Sequence, residues 1–134
     1  MFDEISREVQ QNCSVRIFVD EDDFDECAYF IPEVNAIGVN AQIDDDEKVV
    51  SVIHEVAHFV DIIENKHPNR RDIDGEVIAH AVEEIVFWNA PVQGVIDEVI
   101  DEIRESYCFN GVVSVDEDDI VEVAERVRII CNYF

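Results

Sequence analysis

The chain has few basic side chains: nine Lys and Arg residues stand against 33 Asp and Glu residues, and the formal net charge is −24. A surface this acidic repels phosphate groups, so it excludes ordinary nucleic-acid binding through basic side chains. It excludes attraction to anionic membranes for the same reason. The charge is compatible with a basic protein partner, because oppositely charged surfaces attract each other.

Long apolar runs are also missing, since no uninterrupted stretch reaches the about 18 residues that a membrane-spanning helix needs. The N-terminal segment has neither the basic region nor the apolar run of an export signal. The four cysteines include no CxxC pair, which favours reduced thiols over a thiolate zinc site. We therefore expect a cytoplasmic protein. Its 134 residues, 48% of them hydrophobic, suit a single domain over 1–134.

Three short segments rich in β-branched residues precede a region with helical periodicity. The predicted elements are a helix over 2–11, strands over 14–19, 27–31 and 35–40, and helices over 48–65, 75–89, 92–107 and 116–132. This order predicts an α+β fold. A small antiparallel sheet of about three strands near the N-terminus would pack against a buried helix, and the C-terminal half would be mostly helical.

The predicted helix over 48–65 contains neither Gly nor Pro, and apolar residues occur on all of its sides. This pattern indicates a buried central helix. The HExxH arrangement runs from His54 to His58 within it. Two histidines four residues apart lie one turn apart on the same face, where they can hold one metal ion, Zn²⁺ above all.

Glu55 follows His54 and is rotated from it by about 100° around the helix axis, so it can reach a water at the metal but not the metal. Zinc lowers the pKa of such a water to about 7. Glu55 is predicted to act as the general base when this water attacks a carbonyl, and then to protonate the leaving amine. The alternative is a pair of structural histidines. Burying two imidazoles and a carboxylate in an apolar helix without such a purpose would be costly.

A third metal ligand is expected from the next helix, which can return antiparallel beside the first. Glu76 is the preferred candidate, because a carboxylate offsets the charge of the ion and two histidines with one glutamate form a common catalytic set. His80 lies one turn further on the same face and is the alternative ligand. Glu76 could instead be a first-turn acid that interacts with the helix dipole.

Three other acidic residues near the motif have predicted roles. Asp61 lies on the same helix face as His54 and His58, and it either orients His58 through the second ring nitrogen or faces solvent. Glu83 and Glu84 continue the following helix and are expected to be solvated.

On these residues the chain resembles zincin metallopeptidases of the gluzincin type. It is similar to the small metallopeptidase-like proteins often encoded by phages, and to the ImmA/IrrE family, in which a Glu that opens an E-x-x-A helix is the third ligand. Here that sequence runs from Glu76 to Ala79. The resemblance covers roughly residues 34–89. It implies a zincin-like domain in which His54, His58 and Glu76 bind zinc and Glu55 is the general base.

The leading hypothesis is therefore a zinc-dependent metallopeptidase-like hydrolase that acts on a protein or peptide substrate. The alternative is an acidic binding or decoy protein, such as a nucleic-acid mimic, with a non-catalytic metal site or none. A zinc-bearing but catalytically silent relative is a third hypothesis.

Overall fold

The computed structural model describes residues 1–22, 25–64, 72–107 and 117–134, without the side chains of 63–64, 72–76, 99–100, 102–107 and 117–123. The elements in chain order are α1 (Phe2–Asn12), β1 (Arg16–Asp20), β2 (Ala28–Ile31), a 3₁₀ turn (Pro32–Val34), β3 (Ala36–Asn40), α2 (Asp45–Phe59), a π-helical turn (Val60–Glu64), α3 (Asp72–Val86), α4 (Val92–Tyr107) and α5 (Glu117–Cys131). The α+β class and the three N-terminal strands are confirmed. No helix in the described ranges is long and apolar enough to cross a membrane.

The sheet is mixed, and the prediction of an antiparallel sheet is wrong in this respect. Its strand order is β1-β3-β2, with β3 parallel to β1 and antiparallel to β2. The 3₁₀ turn and Asn35, which has a left-handed φ of 48°, reverse the chain between β2 and β3. All five residues of β3 are buried, which is typical of a central strand covered on both faces. The described acidic residues of the connection between β1 and β2 are exposed. This connection allows β2 to pair with β3 and not with β1.

Helix α2 is the central helix of the fold, as predicted. Asp44 caps it, because its side chain accepts a hydrogen bond of 2.8 Å from the backbone N–H of Glu47. Six of its apolar side chains are at most 2% exposed: Val49, Val52, Ile53, Val56, Ala57 and Phe59. The helix packs against β2 and β3 on one side and against α3 on the other. This burial fixes the orientation of the polar residues on the remaining face.

The end of α2 is joined to α5 by a buried ion pair. Both carboxylate oxygens of Asp61, in the π-helical turn, bind Arg126, with Nε of Arg126 donating over 2.8 Å. Asp61 is 2% exposed and Arg126 is 3% exposed, so the interpretation of Asp61 as a solvent-facing acid is wrong. A guanidinium and a carboxylate can share two parallel hydrogen bonds, which makes burial of both charges tolerable.

Candidate metal centre

The HExxH residues lie on the one incompletely buried stripe of α2. Ser51, His54, Glu55 and His58 are half-buried, whereas their neighbours Val52, Ile53, Val56 and Ala57 are fully buried. The stripe follows the helical spacing of three and four residues, which places these side chains on one face. The buried apolar side chains of α2 therefore hold the helix in place, and its half-buried polar side chains face an opening.

The two imidazoles of the motif meet at their Nε2 atoms, which lie 3.1 Å apart. The rings are 4.7 Å apart between centroids and are inclined by 73°. Two ligands of a tetrahedral zinc ion are about 3.3 Å apart, as follows from zinc–nitrogen bonds of about 2.0–2.1 Å. The observed separation is close to this distance, so His54 and His58 fit a shared zinc ion.

Helix α3 brings two further groups to these rings. Oε1 of Glu83 lies 2.6 Å from Nδ1 of His54, and Oε2 lies 3.3 Å from Nδ1 of His80. The His54 and His80 rings are 5.0 Å apart between centroids. His54, His80 and Glu83 each offer a ligand atom within 4.8 Å of the others. The sequence thus correctly placed His80 near the motif.

Glu83 is the candidate site residue whose contacts the sequence analysis missed. Its side chain is 16% exposed, so the expectation that it is solvated is wrong, whereas Glu84 is exposed as expected. Two packed helices turn the same stripe of α3 toward α2, and Glu83 lies on that stripe three residues after His80. The spacing of three residues between His80 and Glu83 was the available signal in the sequence. It could not be used, because the rotation of α3 about its axis is decided by packing and was not known.

The other two predicted residues are Glu76 and Asp61. Glu76 belongs to α3, one turn before His80, but its side chain lies outside the described residues, so its role as third ligand stays a prediction. Asp61 has both oxygens on Arg126. Its expected role in orienting His58 stays a prediction.

A cleft of about 160 Å³ opens beside the stripe. Its lining residues are Cys27, Ala28, Val50, Ser51, His54, Glu55 and Glu83. One wall is therefore the start of β2, the floor is α2 and the far wall is α3. Glu55 lines this cleft together with His54, as a general base beside a metal ligand requires.

Comparison with known proteins identifies no relative: no model of a protein family, no curated protein and no solved structure matches the chain. The resemblance to zincins consequently depends on the motif and on the geometry of the site alone.

Proposed function

We propose that this protein is a zinc-dependent metallopeptidase-like hydrolase. The observation that carries the proposal is the approach of the Nε2 atoms of His54 and His58 to 3.1 Å, beside an open cleft that His54 and Glu55 line. Two imidazole nitrogens directed at one point, next to a carboxylate on the same helix, are the parts that HExxH chemistry requires.

His54 and His58 would hold the metal, together with a third ligand from α3. When bound, zinc supplies Lewis-acid chemistry, because it lowers the pKa of a water and polarises a carbonyl group. Two neutral imidazoles leave the charge of the ion largely uncompensated. A carboxylate close to the ligands, as Glu83 is, reduces this electrostatic cost.

In the proposed reaction Glu55 is first the general base and then the general acid. Its carboxylate takes a proton from the attacking water and returns it to the nitrogen of the leaving amine, so that the peptide bond breaks without release of a free amide anion. Glu55 follows His54 directly on a rigid, buried helix. Its position relative to the histidines is therefore fixed by α2 itself, and such precision is what acid–base catalysis needs.

A protein or peptide is the substrate class that the cleft favours. Its volume of about 160 Å³ is below the roughly 300–1,000 Å³ of typical small-molecule pockets. The wall at Ala28 belongs to β2, which lies at the edge of the described sheet with β3 on one side. An extended peptide can add to such an edge through backbone hydrogen bonds. A chain that crosses the cleft suits this shape better than an enclosed small molecule.

The cytoplasm is the compartment that we propose. Cys27 and Cys131 are free thiols in the described part of the chain, and burial raises the pKa of Cys131 to about 11. Reduced cysteines are typical of a reducing compartment. Direct binding to nucleic acid or to a membrane is not part of the proposal, because the charge of −24 opposes both.

Three variants test the proposed mechanism with a peptide library as substrate and mass spectrometry as readout. We expect Glu55→Gln to retain zinc and lose hydrolysis by at least about 100-fold, and His58→Ala to lose both zinc and hydrolysis. Glu84→Gln, which removes an exposed carboxylate from α3, is the matched control and should keep both. Hydrolysis by Glu55→Gln at the rate of the unmodified protein would refute the mechanism.

The acidic surface supports the second candidate function, a binding or decoy protein. The described acidic residues of the β1–β2 connection, Glu21, Asp22, Asp25 and Glu26, are all exposed. Such a surface would bind a basic protein in a salt-sensitive manner. Association that persists after a chelator has removed all metal, in a protein without hydrolytic activity, would favour this function over the hydrolase.

A further inference from the structure

One carboxylate on α3 holds two imidazoles. The oxygens of Glu83 lie 2.6 Å from Nδ1 of His54 and 3.3 Å from Nδ1 of His80. An ionised carboxylate only accepts hydrogen bonds. Nδ1 is therefore the donor in both histidines. Since a neutral imidazole has one protonated nitrogen, Nε2 of His54 and of His80 each retain a lone pair for a metal.

The short contact also separates the role of Glu83 from that of a ligand. Two atoms bound to one zinc ion are about 3.3 Å apart, whereas Oε1 of Glu83 and Nδ1 of His54 are 2.6 Å apart. This is the distance of a strong hydrogen bond to a charged acceptor. Glu83 therefore acts on the metal through the histidine ring.

We infer that His80 is the third metal ligand and that Glu83 is the shared positioning residue of His54 and His80. The inference deepens the proposed function, on which it rests for the presence of a metal at His54 and His58. It names a set of three imidazoles, with one carboxylate fixing the orientation of two of them. A hydrogen bond of this kind selects the ring nitrogen that binds the metal and makes the ring a better donor.

The position of His80 agrees with this role. Its ring centroid is 5.0 Å from that of His54, and its Nδ1 faces the same Glu83 carboxylate that contacts Nδ1 of His54. Its side chain is 61% exposed, so the ring can turn toward an ion without disturbing the core. Glu83 is held more rigidly, because only 16% of its side chain is exposed.

Zinc binding and X-ray absorption spectroscopy test the inference without reference to hydrolysis. Zinc affinity is measured by competition with a chromogenic chelator in the unmodified chain, His80→Ala, Glu83→Gln and Glu76→Gln, with Glu84→Gln as the matched control. The absorption spectrum of the zinc-loaded protein gives the number of imidazole ligands. Circular dichroism verifies that each variant is folded.

We expect three imidazoles in the unmodified protein and two in His80→Ala, with zinc affinity lower by roughly 1,000-fold in that variant. Glu83→Gln should keep three imidazoles and lose about 10–100-fold in affinity, while Glu84→Gln is unchanged. Two imidazoles in the unmodified protein, or a loss of affinity in Glu76→Gln with none in His80→Ala, would overturn the inference. The outcomes that overturn this inference would leave the proposed function intact. That function fails instead if His58→Ala keeps its zinc.

Discussion

Asp61 and Glu83 each pair their carboxylate with a nitrogen-bearing side chain on another helix, and the surroundings of the two pairs differ. Asp61 binds the guanidinium of Arg126, and the two side chains are 3% and 4% exposed. Glu83 binds His54, and both side chains are 16% exposed at the wall of the cleft. One pair is sealed between α2 and α5, and the other borders an opening between α2 and α3.

The comparison shows how the same type of contact serves two purposes. The guanidinium of Arg126 cannot lose its proton in a protein, and Asp61 accepts hydrogen bonds with both oxygens, so this pair can only join helices. An imidazole has a second nitrogen. When Glu83 contacts Nδ1 of His54, Nε2 lies on the other side of the ring, where it meets Nε2 of His58. The sealed pair joins two parts of the fold, whereas in the proposed site the pair at the cleft would prepare Nε2 for a metal.

The largest expected effect comes from breaking the sealed pair. Asp61→Ala leaves the charge of Arg126 buried without a partner, and we expect the free energy of unfolding to fall by about 3–5 kcal/mol. Urea unfolding followed by circular dichroism measures this loss. Asp101→Ala, which removes an exposed acid from α4, is the control and should change stability by less than about 0.5 kcal/mol.

A double variant determines where that loss comes from. Asp61→Leu combined with Arg126→Met removes both charges and keeps the space filled, so it should recover most of the stability. If the double variant were as unstable as Asp61→Ala, the cost would come from lost packing and the assignment of a sealed ion pair would be wrong.

Gly38 tests whether the face of the sheet opposite α2 is packed as tightly as the sealed pair. It lies opposite Tyr29 in the β2–β3 pair, and a Cβ atom at Gly38 would overlap the Tyr29 ring. Gly38→Ala should therefore destabilise the fold by about 1–3 kcal/mol. Gly94→Ala is the matched control, because the nearest atom to a Cβ there is Cγ of Pro91 at 3.9 Å. In helix α4 this change should be neutral or stabilise by up to about 1 kcal/mol.

Heat-induced unfolding measures the stability of Gly38→Ala and of Gly94→Ala relative to the unmodified protein. Equal stability of Gly38→Ala and Gly94→Ala would show that the Tyr29 ring moves aside at little cost, and that this face of the sheet is loosely packed.

The pair at the cleft should contribute much less to stability than the sealed pair does. Glu83→Gln keeps the shape and a hydrogen-bonding oxygen, and the cleft admits water to both groups, so we expect a loss below about 1 kcal/mol. Urea unfolding of the metal-free protein measures it, with Glu84→Gln as the control. A loss as large as that of Asp61→Ala would contradict the distinction between a structural pair and a functional one.

The sequence predicted the parts of the site that local periodicity determines. His54 and His58 share a face because α2 is a helix, and that helix is evident from its apolar pattern and its aspartate cap. The role of Glu83 could not be predicted, because it depends on the rotation of α3 against α2. Asp61 was predictable in part: an acid among Val60 and other apolar residues at the end of a buried helix requires a basic partner.

The sheet shows the same division between local and long-range information. All three strands were predicted, because β-branched residues and turn residues mark them locally. Their order was not, since a strand can pair with any neighbour that the connections allow. The structure buries β3 residues such as Ala36 and Val39 completely. The uninterrupted small and apolar sequence of β3 was the signal for a central strand.

The smallest effect concerns a half-buried pair near the surface, which extends the comparison to the outer face of the sheet. The hydroxyl of Tyr29 donates to Asp20 over 2.5 Å. This bond, followed by one from the backbone N–H of Asp22, lowers the pKa of Asp20, and the bond to Asp20 raises the pKa of Tyr29. Tyr29→Phe should therefore raise the pKa of Asp20 toward the ordinary value of an aspartate carboxyl group, as NMR titration of the carboxyl carbon measures.

The sign of the pH dependence follows from these two shifts. Because the pKa of Asp20 is lowered by folding, its contribution to stability is complete above the ordinary carboxyl pKa and is lost as the pH falls through the lowered value. Because the pKa of Tyr29 is raised, its contribution is complete below about 10 and is lost as the pH rises through the raised value. Tyr133→Phe removes a hydroxyl elsewhere and should leave the pKa of Asp20 unchanged. An unchanged pKa in Tyr29→Phe would show that this surface bond is not kept in solution, unlike the sealed pair of Asp61 and Arg126.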